Sequence, residues 1–283
     1  MVLAIMYLIS WKKKNISVKM LVKAVIAQFL IAVILVKVPA GRYVVSKVSD
    51  AVTSVINCGQ DGLSFVFGSL ADSTAAAGSV FAIQVLGNIV FLSALVSFLY
   101  YIGILGFVVK WIGKAVGKLM GTSEVESFVA VANMFLGQTD SPMPVAMVAL
   151  VAAVNKLLGV CGISLQQVFS YVFAPFGFFL GLDPSEILLE GNLLGSKLVL
   201  NEFVAFQQLG GMISSMDYRT GMIFAISLCG FANFSSLGIC VSGIAVLCPE
   251  KKSTLARLVF KAMLGGVAAS LISAMTVGLV TLC

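Results

Sequence analysis

The sequence predicts an all-α polytopic membrane protein, built from transmembrane helices, re-entrant or broken helices and one interfacial amphipathic helix. Three observations predict it. Hydrophobic residues make up 60% of the 283-residue chain and charged residues 11%, with a mean hydropathy of +1.08. A soluble domain carries about 25% charged residues, so this chain has too few to cover a water-facing surface. The apolar stretches are long and unalternated, which favours helices over a barrel whose strands would alternate apolar and polar residues. Several of these stretches are also cut by polar residues, and irregular backbone at membrane depth survives only where protein or water covers it.

A span needs roughly 20 apolar residues. Met1–Trp11 offers about half that before Lys12 and reads as an interfacial stub or as part of a first span. No basic region precedes it and no cleavage site follows, so it does not read as a signal peptide. Met20–Val38 is a full span ended by Pro39. In 40–78, Gly, Ser, Asp50, Asp61 and Asp72 interrupt short apolar pieces, which predicts a connection with one partly buried helix. Val80–Val109 reads as one long span ending at Lys110. Over Trp111–Met120 the lysines at 110, 114 and 118 fall four apart and share a helical face, with Ile112, Val116 and Leu119 opposite; this predicts an amphipathic helix on the membrane surface.

Ser123–Met143 is a short apolar stretch with Glu124 and Glu126 near its start, and it ends in the polar run Gly137–Pro142. Val145–Leu158 is apolar again, and Ser164–Leu182 is apolar but broken by Pro175. Pro184–Gly210 carries Glu186, Glu190, Lys197, Asn201 and Glu202 inside an apolar frame. Met222–Leu247 has a polar centre at Asn233–Ser236, and Leu258–Leu282 is the last span.

The net charge of +6 resides in lysine clusters at 12–23, 110–118 and 251–257. Such clusters orient spans by the positive-inside rule, and nothing else marks a nucleic-acid-binding module. The six cysteines form no CxxC pair and lie mostly in apolar runs, so they imply neither a disulfide framework nor a metal site. Histidine is absent, which removes a His-mediated proton relay. No nucleophile–base pair is visible, so the polar groups suit ligand binding better than catalysis.

Two interrupted segments, 124–143 and 185–208, stand out, and paired interrupted segments point to a transporter's midplane site. They should face one another or a cavity. Charged groups at membrane depth are costly and functional by default. The candidates are Asp140 and Glu202, with Gln138, Thr139, Asn201, Asn233, Ser235 and Ser236 as uncharged partners. Their chemistry suits a ligand rich in hydroxyls and ring nitrogens: a carboxylate accepts two bonds from a diol, and an amide donates and accepts at once. Phe203, Phe206, Phe231 and Phe234 lie close by in sequence, where they would pack against a flat ring. The plainer alternative is that Asn, Gln and Ser only join helices to one another and that the phenylalanines only fill space.

Three motifs in order carry a resemblance. Gly137-Gln138-Thr139-Asp140-Ser141-Pro142, after Ser123-Glu124-Val125-Glu126-Ser127 and Ala132-Asn133, resembles the first re-entrant hairpin of the concentrative nucleoside transporter family. Leu194–Phe206, with Asn201-Glu202-Phe203 at its centre, is similar to the second hairpin, and Leu228–Ser236 to the broken span that follows. Ser164–Pro175 resembles the family's external helix. The resemblance implies nucleoside import driven by Na+ or H+, with no other cofactor, by a homotrimer in the inner membrane with elevator-like movement. It divides the chain into scaffold spans at 1–122 and a transport region at 123–283. It implies that Gln138, Thr139 and Asp140 contact the base, that Glu202 holds the ribose hydroxyls with Asn233 and Ser236, and that Phe231 lines the same pocket. It assigns Asn133 and Leu136 as oxygen ligands for Na+, a set that suits a hard cation.

Two departures accompany it. Asp140 stands where the family has Glu, one methylene longer. Ser141-Pro142-Met143-Pro144 also runs straight into Val145–Leu158, where the family turns back and adds two further spans. The returning arm and those spans are expected to be missing. With them would go a wall of the site, leaving Asp140 and Glu202 under-satisfied. That departure keeps a second reading open, a non-transporting scaffold or remnant.

Overall fold

The computed structural model describes residues 2–11, 13–72, 81–135 and 152–282. Every regular element among them is helical. In chain order these are α1 (Val2–Ile9), α2 (Val18–Val36), α3 (Pro39–Phe67), α4 (Phe81–Tyr101), α5 (Ile104–Met120), α6 (Glu124–Phe135) and α7 (Ala152–Cys161). They continue as α8 (Leu165–Leu180), α9 (Pro184–Val199), α10 (Glu202–Gly210), α11 (Tyr218–Leu228), α12 (Phe234–Leu247) and α13 (Lys252–Leu282). Among the described residues, α2 and the 249–282 stretch are each long and apolar enough to cross a membrane; two further candidates arise if the bent pairs α4–α5 and α7–α8 each count as one span.

The chain forms two compact units. The first holds 18–25 and 38–137. Within it, α3 is a continuous 29-residue helix, where the sequence predicts a connection with one partly buried helix. Pro39 sits at its first turn, where the missing N–H is an orphan in any helix. The expected single span Val80–Val109 is instead two helices meeting at 79°. Gly103, at φ 83, supplies the left-handed corner between them. The amphipathic helix therefore starts at Ile104 rather than Trp111, and Lys110, Lys114 and Lys118 do share its exposed face. Ile112 and Leu119, opposite the lysines, are exposed, and the face packed inside the protein is a third one, Leu105, Val109, Gly113 and Gly117. A Cβ on Gly113 would lie 3.2 Å from the Phe128 backbone, so this glycine lets α6 approach α5 directly. α6 opens with a reciprocal cap in which the Ser123 hydroxyl accepts from the Glu126 N–H, and the Glu126 carboxylate accepts from the Ser123 N–H.

The second unit holds 1–17, 26–37 and 138–283. Its core joins Leu193 and Leu194 of α9, Ala205 and Leu209 of α10, Ile223 and Phe224 of α11, and Leu271 of α13. α8 is continuous through Pro175, which the sequence reading takes as a break. The helix tolerates it at the cost of one backbone hydrogen bond. α8 lies tight against α9 because Gly191 and Gly195, four apart, expose backbone: a Cβ at Gly191 would strike the Ser170 carbonyl, and one at Gly195 the Phe169 side chain. From Glu190 to Val199 every α9 residue except Asn192 is buried. A helix covered all round belongs inside the protein, not against lipid. The terminal segment is held too: Lys261 Nζ donates to Ile9 O (3.0 Å) and lies 3.7 Å from the Trp11 ring centroid.

Candidate functional site: two broken helices joined by Glu202 and Asn233

Two of the helix breaks expected from the sequence are present, in 185–208 and in Leu228–Ser236, while the one expected at Gly137–Pro142 lies outside the described residues. α9 stops at Val199, and Asn201 is extended (φ −168°, ψ 170°) before α10 begins. α11 stops at Leu228. Gly230, at φ 93, turns the chain, and Asn233 (φ −140°, ψ 167°) precedes α12. In each break an asparagine caps the next helix. Asn201 Oδ1 accepts from Val204 N (2.9 Å), and Asn233 Oδ1 accepts from Ser236 N (2.8 Å) and Ser236 Oγ (2.7 Å). Glu202 occupies the first turn of α10, where the positive helix end favours a carboxylate.

The breaks meet. Asn233 Nδ2 donates to Glu202 Oε2 at 2.8 Å, between residues 31 apart in sequence. Asn233 and Ser236 are buried, Glu202 is half-buried and Phe231 is 43% exposed. A cavity of about 430 Å3 between α12 and α13 is lined by Phe231, Ser236, Cys240, Ile244, Leu258 and Met263 among others. That volume falls in the range of small-molecule sites.

The structure thus brings together Glu202, Asn233 and Ser236, with Phe231 at the adjoining cavity. Asn133 falls in the last turn of α6. Leu136, Gln138, Thr139 and Asp140 lie outside the described residues. Glu202, expected to be under-satisfied, accepts one hydrogen bond from Asn233, at Oε2. Glu190 is fully buried, and neither of its oxygens has a hydrogen-bond partner among the described residues; the buried Lys197 ammonium acts on it electrostatically.

Lys197, not among the site candidates legible in the sequence, is 1% exposed. Its Nζ donates to Ser227 O (2.9 Å), Cys229 O (2.9 Å) and Ser270 Oγ (3.4 Å), linking α9 to the α11 break and to α13. A lysine inside an apolar run carries the same signal as Glu202, since a charge at membrane depth needs a stated partner.

Comparison with known proteins then decides the family. Residues 1–70 match the N-terminal model, and residues 141–278 the C-terminal model, of the Na+ dependent nucleoside transporters. The chain belongs to the concentrative nucleoside transporter family. Family membership makes it a transporter rather than an enzyme. It is 26% identical to nucleoside permease NupC of Helicobacter pylori, covering 98% of this chain and 96% of that protein. It is 25% identical to purine nucleoside transport protein NupG of Bacillus subtilis, over 98% and 96%. The solved structure of CNTnw in an inward-facing substrate-bound state is similar at a TM-score of 0.91 and 25% identity, over 100% of this chain and 96% of that one.

The match with an uncharacterized transporter of Haemophilus influenzae, 29% identical, runs over 395 positions. The chain has 283 residues, so at least 112 of those positions have no residue in it. At roughly 20 residues per span, that is room for a returning hairpin arm and two spans with their connections.

Proposed function

We propose that this chain imports nucleosides across the bacterial inner membrane by symport with Na+ or H+, as a homotrimer in the lipid bilayer. The region 123–283 moves elevator-fashion against the scaffold at 1–122. The observation that carries this reading is the Glu202–Asn233 hydrogen bond, which seats a carboxylate and an amide between two helix breaks. A carboxylate so placed accepts from a sugar diol while Asn233 and Ser236 fix its direction. Phe231, beside the cavity, offers a flat apolar face. Gln138, Thr139 and Asp140 would take the base edge, with Asp140 reaching less far than a glutamate. The Asn133 side chain and the Leu136 carbonyl would supply oxygen ligands to Na+.

A second reading is favoured by one specific observation, the 112 or more positions without a residue here. We place that gap after Pro144, which would cost the site a wall and leave a scaffold or remnant that does not transport. Uptake of radiolabelled uridine and adenosine into proteoliposomes holding only this chain separates the two. Gradient-driven accumulation that Glu202→Gln abolishes supports the transporter. Absence of uptake by inserted, folded protein leaves the scaffold.

A further inference from the structure

We infer that Lys197 is a tethered cation: its ammonium fills a cation position at the break between α11 and α12, and thereby positions Asn233 against Glu202. A helix end leaves its last carbonyls without partners. Had α11 continued, the Ser227 and Cys229 carbonyls would pair with the N–H groups of residues 231 and 233. Gly230 turns the chain away instead, and both carbonyls point at Lys197 Nζ at 2.9 Å.

Ser270 Oγ completes the set, 3.4 Å from Nζ and 2.6 Å from the Cys229 carbonyl. Three N–H donors thus meet three oxygens, and none of those oxygens belongs to a carboxylate. The charge is answered at contact by carbonyl dipoles and by the negative end of α11, with the Glu202 and Glu190 carboxylates acting on it from farther off. Unwound carbonyls at a half-helix C-terminus are the donor set that holds alkali cations in other broken-helix transporters. Here a side chain of the protein occupies the position, so no coupling ion enters it.

The consequence for the site follows from chain distance. Lys197 lies five residues before Glu202, and Cys229 four before Asn233. The ammonium therefore ties the two breaks together beside the Glu202–Asn233 bond and sets their separation. Lys197 is a positioning residue, acting through that pair.

The effect on nucleoside affinity rests on the proposed role of Glu202 and Asn233; the cation position does not. The test uses the full chain in detergent with Lys197→Ala and Lys197→Met, titrated with Na+, K+ or methylammonium against N-methylglucamine at constant ionic strength. Melting temperature and uridine affinity are both read. Lys197→Ala opens an oxygen-lined vacancy, so a small cation should raise its melting temperature saturably. The same cation should recover the uridine affinity that the substitution lowers by about tenfold or more, the scale of a lost charge-assisted bond. Lys197→Met keeps the volume without the charge, so it should lose affinity and respond to no cation, as wild type should not respond. Wild-type affinity in Lys197→Met, or a Lys197→Ala protein that no cation rescues, overturns the inference. If wild type itself binds no uridine, the nucleoside reading fails, and the melting-temperature arm still decides whether a cation position exists.

Discussion

Asn233 does two jobs with one amide: its oxygen caps α12, and its nitrogen satisfies Glu202. The two are separable by substitution. Asn233→Ala removes both and should lower stability by about 1 kcal/mol from the cap alone. Asn233→Ser keeps a capping oxygen but loses the amide nitrogen that reaches Glu202. It should melt closer to wild type while losing nucleoside affinity as fully as the alanine variant. Thermal unfolding and uridine titration on the two purified variants check this, and equal melting losses would show that the cap contributes nothing. Glu190 presents the opposite case, a carboxylate with no donor among the described residues. Its charge nonetheless acts on the buried Lys197 ammonium, so removing it leaves that ammonium with one counter-charge fewer. Glu190→Met is therefore expected to lower the melting temperature, and a rise would mean that the desolvation cost of this carboxylate outweighs its attraction to Lys197.

Among the elements, the α8–α9 contact is the most exacting. Gly191→Ala would drive a methyl into the Ser170 backbone carbonyl, which cannot move aside as a side-chain tip can. Overpacking of this kind costs about 1–3 kcal/mol, read as a lower melting temperature. Gly210→Ala meets open space and serves as the control. At the start of α11, outside the apolar stretch, Asp217 caps the helix. Bonds from the Thr220 hydroxyl, then from the Thr220 and Arg219 N–H groups, hold its carboxyl below the ordinary carboxylate range. A depressed value stabilises the fold above the unfolded-state pKa and is lost as pH falls through the folded one. Asp217→Asn should thus narrow its stability deficit against wild type as the pH is lowered through the acid range, measured by melting curves. The breaks at 200–201 and 229–233 were legible because each sets Asn beside polar residues inside an apolar run. The 79° turn at Gly103 was not legible: its flanks are equally apolar, and hydropathy records length but not direction. α3 was misread because Pro39, taken as the end of one helix, is also the start of the next.

Across the whole molecule, the family was readable from three ordered motifs, and the lost stretch from the way Asp140-Ser141-Pro142 runs into Val145. What the stretch contained, a returning arm and two spans, comes from the resemblance alone, because a missing stretch leaves no residues to interpret. The alignment supplies its size, at least 112 positions. If the gap falls after Pro144 and held two spans, an even number has gone, and the basic clusters at 110–118 and 251–257 keep the same side of the membrane. The chain would then insert in the family's orientation while missing a wall of its site. A chimera tests this directly. Placing the relative's aligned segment after Pro144 should leave both basic clusters facing the same side, read by protease or thiol-reagent access from each side of the vesicle. Because the returned wall would close around groups already held by the Glu202–Asn233 bond, uridine uptake should rise by about tenfold or more over the short chain, the equivalent of one recovered charged hydrogen bond. A chimera that inserts in this orientation yet transports no better than the short chain would mean that the segment is not the site's missing wall. One whose basic clusters change sides would place the gap elsewhere.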